Sequence, residues 1–578
     1  KSYSSIYDLN PDYVNCNGHE GNYCLGAGMV DAHKAIAQGF SPNIQLSEYT
    51  FTEINGDGDG RLNPGETGIL SIYLKNDEGW ADAENVMGRL SSINSEIVVL
   101  DDEGSYGAIM AGDSVLNVFN TYKIAISSEI ELGNVEFELQ ITGNSENFDY
   151  DKIYSYEKIS ITLNQKGFPI NTFELRSSPL VIDYDGDGDK EIILGDNNGD
   201  VHMYDHEGNE IISDPFPFST GSQVWGTAAA ADMDGDGLID FVITSKSKHL
   251  YIFDKTGLKV DYDAGKYLMG TPSIGNLDDD DDLEVVIGGY SSPSSDNKIF
   301  VINPDGTDME GFPLILGEKV KAGIALADFN GNGKDDMVIG TDDDNLYLIY
   351  DDGEIASGFP YSVNDEIQAS PSIMEFNGEK IILTGSNDDV FYAINANGTL
   401  RFSVMTGDKV QSSPSILEYG GTSYVFFGSN DGMIYAVDIY GDPLPNWPIS
   451  INGSIIGSII FSDIDGDGDP EIVSVSDAGN MLAFHLDGSY VNHFPIQNDA
   501  PFSGSPMVID LDGDGDLELF AGSGNNLFVI DMKEKGSSDG YWSEFRGGYE
   551  RRGSTSMGGC TDSVFCNYDS LSLWNDGS

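Results

Sequence analysis

The feature that most constrains this chain is an internal repeat that fills most of its length. An acidic, glycine-rich motif returns along the chain, and two degenerate copies lack most of its acids. The copies are DYDGDGDKE at 183, DMDGDGLID at 232, NLDDDDDLE at 276, DFNGNGKDD at 328, EFNGEK at 375, EYGGTS at 418, DIDGDGDPE at 463 and DLDGDGDLE at 510. A period of roughly 47 residues is typical of propeller blades and solenoid repeats.

Each unit repeats the same order of short apolar runs. In the first unit, SSPLVID precedes the acidic loop, EIILG follows it, VHMYD comes after a turn, and a last segment ends in PFPFS. The runs are rich in β-branched and aromatic residues and have Gly, Asn and Asp at their borders, which favours strands. Four short strands per unit predict a propeller blade. We therefore predict an all-β, eight-bladed β-propeller over residues 166–556, with helices nearly absent.

A further pattern concerns the closure of the ring. GFP occurs late in the repeat, at Gly311 and Gly358, and it also precedes the first unit, at Gly167. An open array would expose sheet edges, which soluble proteins usually avoid. We predict that a strand after Gly167 completes a blade with a C-terminal strand around YWSEFRGGYERRG.

The acidic loops have the composition of calcium sites. Oxygens at alternate positions of a tight loop converge on one point, and the glycines between them permit the turn. Without a cation these carboxylates would repel one another, whereas Ca²⁺ takes 6 to 8 oxygen ligands. The alternative is that Asp and Gly only form turns, but six copies at one phase of the repeat favour Ca²⁺. Mg²⁺ is disfavoured because it prefers a stiffer, more hydrated octahedron.

We expect about six Ca²⁺ ions in the propeller, one for each acidic loop. The predicted ligands are Asp183, Asp185, Asp187, Asp189 and Glu191; Asp232, Asp234, Asp236 and Asp240; Asn276, Asp278, Asp280, Asp282 and Glu284; Asp328, Asn330, Asn332 and Asp336; Asp463, Asp465, Asp467, Asp469 and Glu471; Asp510, Asp512, Asp514, Asp516 and Glu518. The fourth loop has fewer acids and should bind more weakly. The loops at 375 and 418 lack the carboxylates and should be empty.

These motifs resemble a known repeat. Residues 167–556 are similar to the FG-GAP (VCBS-type) propeller, which is also found in the integrin alpha head, and the signature DxDGDGxxD stands close to full form at 232, 463 and 510. The resemblance implies a calcium loop between the first and second strands of each blade. Integrin heads have one blade fewer than the units counted here, so their mode of ligand binding is not carried over.

A second calcium motif precedes the propeller. Residues 55–66, NGDGDGRLNPGE, match the loop D-x-[DN]-x-[DN]-G-x5-E except for Asn at the first position. The predicted ligands are Asn55, Asp57, Asp59, the Arg61 carbonyl, Asn63 and Glu66. No amphipathic helix flanks the loop, so we predict one Ca²⁺ in a β domain; the alternative is a turn without metal.

The segment around this loop has strand periodicity. The runs ENVMGRL, EIVVLD, VEFELQIT and KISITL alternate apolar and polar residues and predict an immunoglobulin-like β-sandwich over residues 43–165. DGDGRLNPGETGILSIYLKN together with YGAIMAGDSV resembles the accessory sandwich domains that follow secreted bacterial peptidases.

Both ends of the chain resemble parts of secreted proteins. LGAGMVDAHKAIAQG resembles the last helix of subtilisin-like peptidases through Gly26, Gly28, Val30, Asp31 and Ala32, so we predict a helical peptidase tail in residues 1–42. That family's catalytic Asp, His and Ser segments are absent here and would lie upstream. Residues 557–578, GCTDSVFCNYDSLSLWNDGS from Gly559, resemble the start of a cysteine-containing repeat at the ends of large secreted bacterial proteins.

Charge limits the possible partners. The chain has 97 acids against 28 bases and a formal charge of −69, which excludes nucleic acid and anionic membranes as binding partners. No apolar run approaches the roughly 20 residues of a membrane helix, so we predict no transmembrane segment.

The expected function follows from these features. We predict a secreted, extracellular or cell-surface binding or adhesion region that is not an enzyme and whose partner is a protein, a glycan or another copy of itself. One alternative is a structural subunit of a surface layer or filament. The other is a polysaccharide-degrading enzyme with its site in the propeller's central depression.

Overall fold

The computed structural model describes residues 41–555 except residues 57, 118–119, 147 and 281. The described chain divides into two compact units between Leu163 and Asn164. The peptidase-like motif predicted before residue 41 and the repeat predicted over residues 557–578 lie outside the described residues. Within the described part, no helix has the length and apolar character needed to cross a membrane.

The described residues of the first unit, from 41 to 163, form nine strands in two antiparallel sheets. They are β1 (Ile44–Asn55), β2 (Thr67–Asn76), β3 (Ala83–Ser92), β4 (Ile97–Asp101), β5 (Glu103–Ile109), β6 (Ser114–Leu116), β7 (Tyr122–Ile126), β8 (Gly133–Ser145) and β9 (Phe148–Ile161). One sheet has the order β1-β2-β7-β4 with β6 paired to β2, and the other has the order β5-β3-β8-β9. Leu70 and Ile124 of the first sheet and Phe137 and Leu139 of the second belong to one hydrophobic core. The predicted alternation is visible in β2, where buried residues occupy every second position.

The second unit is built from short strands. In chain order they are β10 (Ile170–Asn171), β11 (Leu180–Ile182), β12 (Glu191–Gly195), β13 (Asp200–Tyr204), β14 (Phe218–Ser219), β15 (Ala229–Ala231), β16 (Asp240–Thr244), β17 (His249–Asp254), β18 (Gly257–Asp263), β19 (Ser273–Gly275), β20 (Glu284–Gly288), β21 (Lys298–Ile302), β22 (Leu314–Ile315), β23 (Ala325–Ala327), β24 (Asp336–Gly340), β25 (Asn345–Ile349), β26 (Tyr361–Ser362), β27 (Ser372–Phe376), β28 (Glu379–Gly385), β29 (Val390–Asn395), β30 (Leu400–Met405), β31 (Ser415–Tyr419), β32 (Thr422–Gly428), β33 (Met433–Asp438), β34 (Ile449–Ser450), β35 (Ile460–Ser462), β36 (Glu471–Val475), β37 (Asn480–Phe484), β38 (Ile496–Gln497), β39 (Met507–Ile509), β40 (Asp516–Gly522) and β41 (Asn526–Lys535).

Four successive strands form each antiparallel sheet of this unit, beginning with β11 to β14, and the last sheet combines β39, β40 and β41 with β10. The first strands of neighbouring sheets contact one another, as β15 does with β19 and β35 with β39. Second strands such as β12, β16 and β20 are buried at every residue because the sheets pack face to face. This all-β arrangement is consistent with a propeller.

Helical structure is limited to two short 3₁₀ segments, Ser294–Asp296 and Phe545–Gly547, among the residues that the structure describes. The prediction that helices are nearly absent from this unit is therefore confirmed for residues 167–555. The β-branched and aromatic composition of the apolar runs gives the physical reason.

The first and last parts of the second unit are joined in one sheet. β10, which follows Gly167, pairs with β41 through Ile170 opposite Leu527 and Asn171 opposite Asn526. The sequence placed the partner of this strand around residues 541–553, and that assignment was wrong. The partner lies before that segment because the long apolar run of β41 can form the sheet, whereas the later segment is rich in Gly and Arg.

Residues 542–555, which we name the C-terminal strap, instead follow the first strands of the sheets. Backbone N–H groups of β35, β39, β15, β19, β23 and β27 donate to strap carbonyls in that order along the strap. The pairs are Phe461 to Trp542, Val508 to Ser543, Ala230 to Tyr549, Ile274 to Glu550, Leu326 to Arg552 and Ile373 to Gly553, at 2.7 to 3.0 Å. The strap thus connects sheets from the end of the repeat to sheets from its beginning.

Candidate metal centres

The six acidic loops are the hairpin connections between first and second strands. The last acid of each loop is paired in register with the final residue of the preceding first strand. The pairs are Glu191 with Ile182, Asp240 with Ala231, Glu284 with Gly275, Asp336 with Ala327, Glu471 with Ser462 and Glu518 with Ile509. All six acids are buried. Five of them are the first residue of a largely apolar strand, and Glu518 is the third residue of β40.

In five of these loops the buried acid holds the loop backbone through one carboxylate oxygen. The donors are the N–H groups of Tyr184 to Glu191 (2.8 Å), Leu277 to Glu284 (2.7 Å), Phe329 to Asp336 (2.7 Å), Ile464 to Glu471 (2.9 Å) and Leu511 to Glu518 (2.5 Å). The second oxygen has a partner in two of these acids, since Asp336 Oδ1 accepts from the Asp351 N–H at 3.1 Å and Glu471 Oε1 lies 3.3 Å from His485 Nδ1. Glu518 Oε1 is buried and accepts no hydrogen bond from a described residue, so it is available to a cation in the loop.

The structure brings several predicted ligands together. Four groups have ligand atoms within 4.8 Å of one another: Asp183 with Asp185 and Glu191; Asp232 with Asp234 and Asp236; Asp278 with Asp280 and Glu284; and Asp465 with Glu471 and His485. Asp187, Asp189, Asn276, Asp282, Asp463, Asp467 and Asp469 lie in the same loops as these groups, and Asp328, Asp510, Asp512 and Asp514 lie in the corresponding loops of two other sheets. The first acid of a loop holds its glycines, since Asp183 accepts from the N–H of Gly186 (2.8 Å) and Gly188 (3.1 Å).

Burial and mutual repulsion shift the titration of these acids. Burial, the larger cause, and the charges of the neighbouring loop carboxylates together raise the pKa of Glu191 to about 7, of Glu284 to about 8, of Glu471 to about 8 and of Glu518 to about 9. A metal-free loop therefore cannot keep all of its carboxylates ionised near neutral pH. A divalent cation at the centre would remove this conflict.

Several buried oxygens in the loops accept no hydrogen bond from any described residue. They are Asn276 Oδ1, Asp463 Oδ1, Asp516 Oδ1 and Glu518 Oε1. Buried polar atoms in native proteins nearly always have a partner. Because these atoms are all oxygens and lie beside further carboxylates, the residues fit an oxygen-coordinated cation such as Ca²⁺.

The second loop departs from the predicted ligand set. Lys259 Nζ lies 2.7 Å from Asp234 Oδ2 and 3.2 Å from Asp240 Oδ2, so an ammonium group already contacts two predicted ligands. Burial nevertheless raises the pKa of Asp240 to about 6, although Lys259 lowers it. From sequence, this loop was predicted to resemble the first loop in its ligands. That prediction did not include Lys259, which lies on the neighbouring hairpin of β17 and β18.

The fourth loop is held by side-chain amides. Asn332 Nδ2 donates to Asp351 Oδ1 at 2.9 Å, and Asn330 Nδ2 donates to Asp336 Oδ1 at 3.2 Å. Lys334 Nζ lies 3.7 Å from Asp351 Oδ2. Asp336 and Asp351 are thus already paired with amide donors, and Asp351 also lies near a lysine. That this loop binds an ion more weakly than the others stays a prediction. Sequence reasoning missed Asp351.

Side chains from outside the motif lie beside the last acids of the final two acidic loops. One follows the third strand β37 directly, and the other lies on β41. His485 Nδ1 lies 3.3 Å from Glu471 Oε1, and Asp531 stands opposite Glu518 in the register of β40 and β41. Burial raises the pKa of Asp531 to about 9, and Lys533 donates to its carboxylate. The sequence contained a signal for these two side chains. His485 and Asp531 are the last residues of the third apolar runs NMLAFH and NLFVID, and therefore occupy the same position in the repeat.

The two degenerate loops are tight two-residue turns. Phe376 pairs with Glu379 across Asn377 and Gly378, whose φ angles are 53° and 78°. Tyr419 pairs with Thr422 in the same manner. Left-handed conformations at both central positions are typical of a type I′ hairpin. The strands extend into the space that the acidic loop occupies in the other units.

The calcium motif predicted at residues 55–66, before the repeats, connects β1 and β2 of the first compact unit. Glu66 Oε1 and Asn63 Oδ1 are buried and accept no hydrogen bond within the described residues. Burial, the larger cause, and the charges of Glu53 and Asp59 together raise the pKa of Glu66 to about 8. A Cβ at Gly56, where φ is 155°, would lie 2.2 Å from Glu66 Oε1, so the loop needs glycine there.

The other predicted ligands of this loop are placed differently. Asn55 Oδ1 accepts from the Thr67 N–H at 2.7 Å and Asp59 Oδ1 from the Arg61 N–H at 2.6 Å, whereas Asp57 lies outside the described residues. Sequence reasoning missed Glu53, whose carboxylate accepts from the N–H groups of Gly58 and Gly60 at 2.5 and 2.7 Å. Glu53 lies on β1, outside the motif.

Comparisons with known proteins identify the repeat. Residues 183–243 and 463–521 match the FG-GAP-like repeat family, and these segments contain the first, second, seventh and eighth loops. The chain therefore carries FG-GAP-like repeats in an all-β, propeller-like protein. The comparison with curated proteins returned no match.

Solved structures include distant neighbours of this chain. Saccharomyces cerevisiae Sqt1 is 13% identical with a TM-score of 0.48, covering 64% of this chain and 99% of that one. The Dos1 propeller is 12% identical with a TM-score of 0.45, covering 64% and 96%. BamB from Moraxella catarrhalis is 12% identical with a TM-score of 0.35, covering 52% and 95%.

Proposed function

We propose that this chain is a non-catalytic, calcium-stabilised binding region that works outside the cell, built from an eight-bladed FG-GAP-type propeller and an immunoglobulin-like sandwich. The observation that carries the proposal is the repeated burial of an acid at the start of a second strand, beside further carboxylates. Burying charge without compensation is costly, so six repetitions of this arrangement are best explained by bound cations.

The closed ring is supported by two contacts between distant parts of the chain. β10 joins the sheet of β39 to β41, so the start of the repeat is tied to its end. The strap contacts β35 and β39 first and β15, β19, β23 and β27 afterwards, which is the order of successive blades around a ring. A ring closed in this way leaves no exposed sheet edge between the first and last blades of the propeller.

The medium outside cells suits these sites. Extracellular calcium modules bind with dissociation constants of about 10⁻⁴ to 10⁻³ M. Each occupied site adds about 1.4 kcal/mol to the free energy of unfolding when Ca²⁺ exceeds the dissociation constant about tenfold. Several such sites would make the scaffold rigid enough to present its loops to a partner.

Thermal unfolding together with metal analysis tests the proposal. We expect about seven bound ions per chain in Ca²⁺, one for each of the acidic loops and the loop of the first unit, and a large loss of melting temperature in EGTA. Asp183→Ala and Asp463→Ala should each remove one ion. Glu418→Gln, at an exposed position of β31 beside a two-residue turn that lacks the acids, is the matched control and should leave the ion count unchanged. No bound Ca²⁺ and no shift in EGTA would contradict the proposal.

A further inference from the structure

The turn between β12 and β13 differs from the same turn in the other sheets of the repeat. Asp196 follows β12 directly, whereas the residue after the second strand of each other sheet is small. Those residues are Ser245, Gly289, Thr341, Ser386, Ser429, Ser476 and Ser523. Three of them, Ser245, Ser386 and Ser429, donate through Oγ to a backbone carbonyl at 3.0 Å. An ionised carboxylate cannot donate, so Asp196 does not take over this role.

The third strand of the same sheet carries a second departure from the repeat. His202 pairs with Leu194, at a position where the other third strands have an aromatic residue without basic nitrogen or a leucine. Those residues are Tyr251, Phe300, Tyr347, Tyr392, Tyr435, Leu482 and Phe528. Both departures thus fall in one sheet, and they bring an imidazole beside a carboxylate.

The two oxygens of Asp196 have different surroundings. Oδ1 accepts from the N–H groups of Asn198 at 2.9 Å, Gly199 at 2.8 Å and Asp200 at 3.0 Å, and so holds the turn. Oδ2 is buried and accepts no hydrogen bond from a described residue, and only 1% of the side chain is exposed. Buried polar atoms nearly always have a partner. Asp196 Oδ2 therefore lacks the partner that its burial requires.

A second carboxylate orients the imidazole towards this oxygen. His202 Nδ1 lies 2.7 Å from Glu210 Oε1, which is a normal hydrogen-bond distance. The Nδ1 proton is used in this contact, and Nε2 faces Asp196 Oδ2. Histidines that bind metal ions usually donate their other ring N–H to a carboxylate in this way. Glu210 thus leaves the Nε2 lone pair available to a cation.

The separation of the groups fits a shared ion. Asp196, Asp200 and His202 each offer one ligand atom, and these atoms lie within 4.8 Å of one another. His202 Nε2 is 3.5 Å from Asp196 Oδ2, beyond the hydrogen-bond range of about 2.7 to 3.2 Å. Two ligands at about 2.1 Å from a tetrahedral zinc ion are about 3.4 Å apart. The pair is therefore spaced for an ion between its atoms rather than for a direct hydrogen bond.

We propose that Asp196, Asp200 and His202 bind a divalent transition-metal ion such as Zn²⁺, with Glu210 as the positioning residue for the imidazole. An imidazole nitrogen suits such ions, whereas Ca²⁺ takes oxygen ligands. Three protein ligands leave one tetrahedral position for water. The site lies at the end of β12 opposite the acidic loop, so it is separate from the calcium sites and goes beyond the proposed function.

The test titrates the full chain with Zn²⁺, and with Co²⁺ as a spectroscopic probe, in saturating Ca²⁺ so that the acidic loops stay occupied. We expect one Zn²⁺ per chain in addition to the Ca²⁺ and a visible Co²⁺ spectrum of a tetrahedral site. Asp196→Ser and His202→Tyr introduce residues that other sheets hold at these positions, so the fold should be kept. Each should weaken Zn²⁺ binding more than about a hundredfold, because a direct ligand is lost, and Glu210→Gln about tenfold to a hundredfold.

The matched control is His206→Tyr, in the turn between β13 and β14, which should leave Zn²⁺ affinity unchanged. Failure to bind Zn²⁺, or equal affinity in His202→Tyr and the unmodified chain, would overturn the inference, and His202 would then be a protonated bridge between two carboxylates. Asp183→Ala should remove one Ca²⁺ and keep the Zn²⁺ site. Loss of Zn²⁺ in that variant would assign the ion to the acidic loop and also overturn the inference. Because Ca²⁺ content is measured in parallel, failure of the zinc site is distinguishable from failure of the calcium scaffold.

Discussion

Arg551 donates from Nη1 to the carboxylate of Glu544, and both side chains are buried where the C-terminal strap follows the first strands. Arg551 Nε also donates to the Ala228 carbonyl at 3.0 Å, and Arg546 Nη2 donates to the Ile324 carbonyl. Residues far apart in the chain are thus joined by two guanidinium groups. The guanidinium groups that hold the strap are buried, and they donate hydrogen bonds to protein oxygens instead of to water.

Breaking this buried pair should destabilise the second unit strongly. Arg551→Met leaves the Glu544 carboxylate buried without its partner, for which we expect a loss of about 3 to 5 kcal/mol in the free energy of unfolding. Urea denaturation in saturating Ca²⁺ measures the change. Lys166→Met, which breaks the exposed pair with Glu207, is the control and should have little effect. A loss no larger than that of the control would show that the pair does not hold the strap.

Glu518→Gln should change the melting temperature in opposite directions with and without Ca²⁺. With Ca²⁺ the variant lacks one charged ligand, so we expect a lower melting temperature and one fewer bound ion. In EGTA near neutral pH, the buried Glu518 carboxyl, with a pKa of about 9, must take up a proton when the chain folds, and glutamine removes this cost, so we expect a higher melting temperature. Glu418→Gln should show neither effect. A decrease under both conditions would mean that Glu518 is not a calcium ligand.

The pH dependence of the metal-free protein follows from the raised carboxyl pKa values. For Glu471, burial raises the pKa from 4.5 in the unfolded chain to about 8 in the folded one. Its stabilising contribution is therefore fully present below about pH 4.5 and is lost as pH rises towards about 8. In EGTA we expect the melting temperature to fall between about pH 5 and 9.

Calcium binding should release protons for the same reason. Carboxyls protonated near neutral pH must ionise to bind Ca²⁺, so affinity should fall as pH is lowered. Titration with Ca²⁺ in weakly buffered solution at pH 7 measures the release. Proton uptake, or no exchange at all, would contradict the assignment of the buried acids as ligands.

Lys259→Met should strengthen calcium binding at the second loop. The ammonium that contacts Asp234 and Asp240 competes with a cation for the same oxygens. Its removal leaves uncompensated carboxylates, so we expect one site to bind more tightly in a calcium titration and the metal-free melting temperature to fall. Lys255→Met provides the control on the adjacent turn. Weaker binding in Lys259→Met would show that Lys259 supports the site.

The sequence predicted local features well because short-range patterns set them. The four apolar runs of each unit became four strands, and the acidic motif became the connection between the first two, since side-chain alternation and turn residues act over a few positions. The Asn-Gly and Gly-Gly pairs at 377 and 420 likewise formed two-residue turns where the acids were missing.

Contacts between distant segments could not be derived in this way. Lys259 is 19 residues from Asp240, and Asp351 is 19 residues from Asn332. In each pair only one residue belongs to the acidic motif, so the motif could not reveal the contact. Nothing in YWSEFRGGYERRG distinguishes an edge strand from a strap, so its pairing was assigned wrongly. The partners of Arg551 are fixed only when the sheets have packed.

The sequence by itself determined the repeat, the all-β class and the positions of the acidic loops, because each depends on neighbours along the chain. Only the tertiary structure decided which strand pairs with β10, where the strap runs and which loop oxygens remain without hydrogen-bond donors. These properties depend on the packing of residues that lie far apart in sequence. Burial then changes the energy of each charge according to what has been brought beside it.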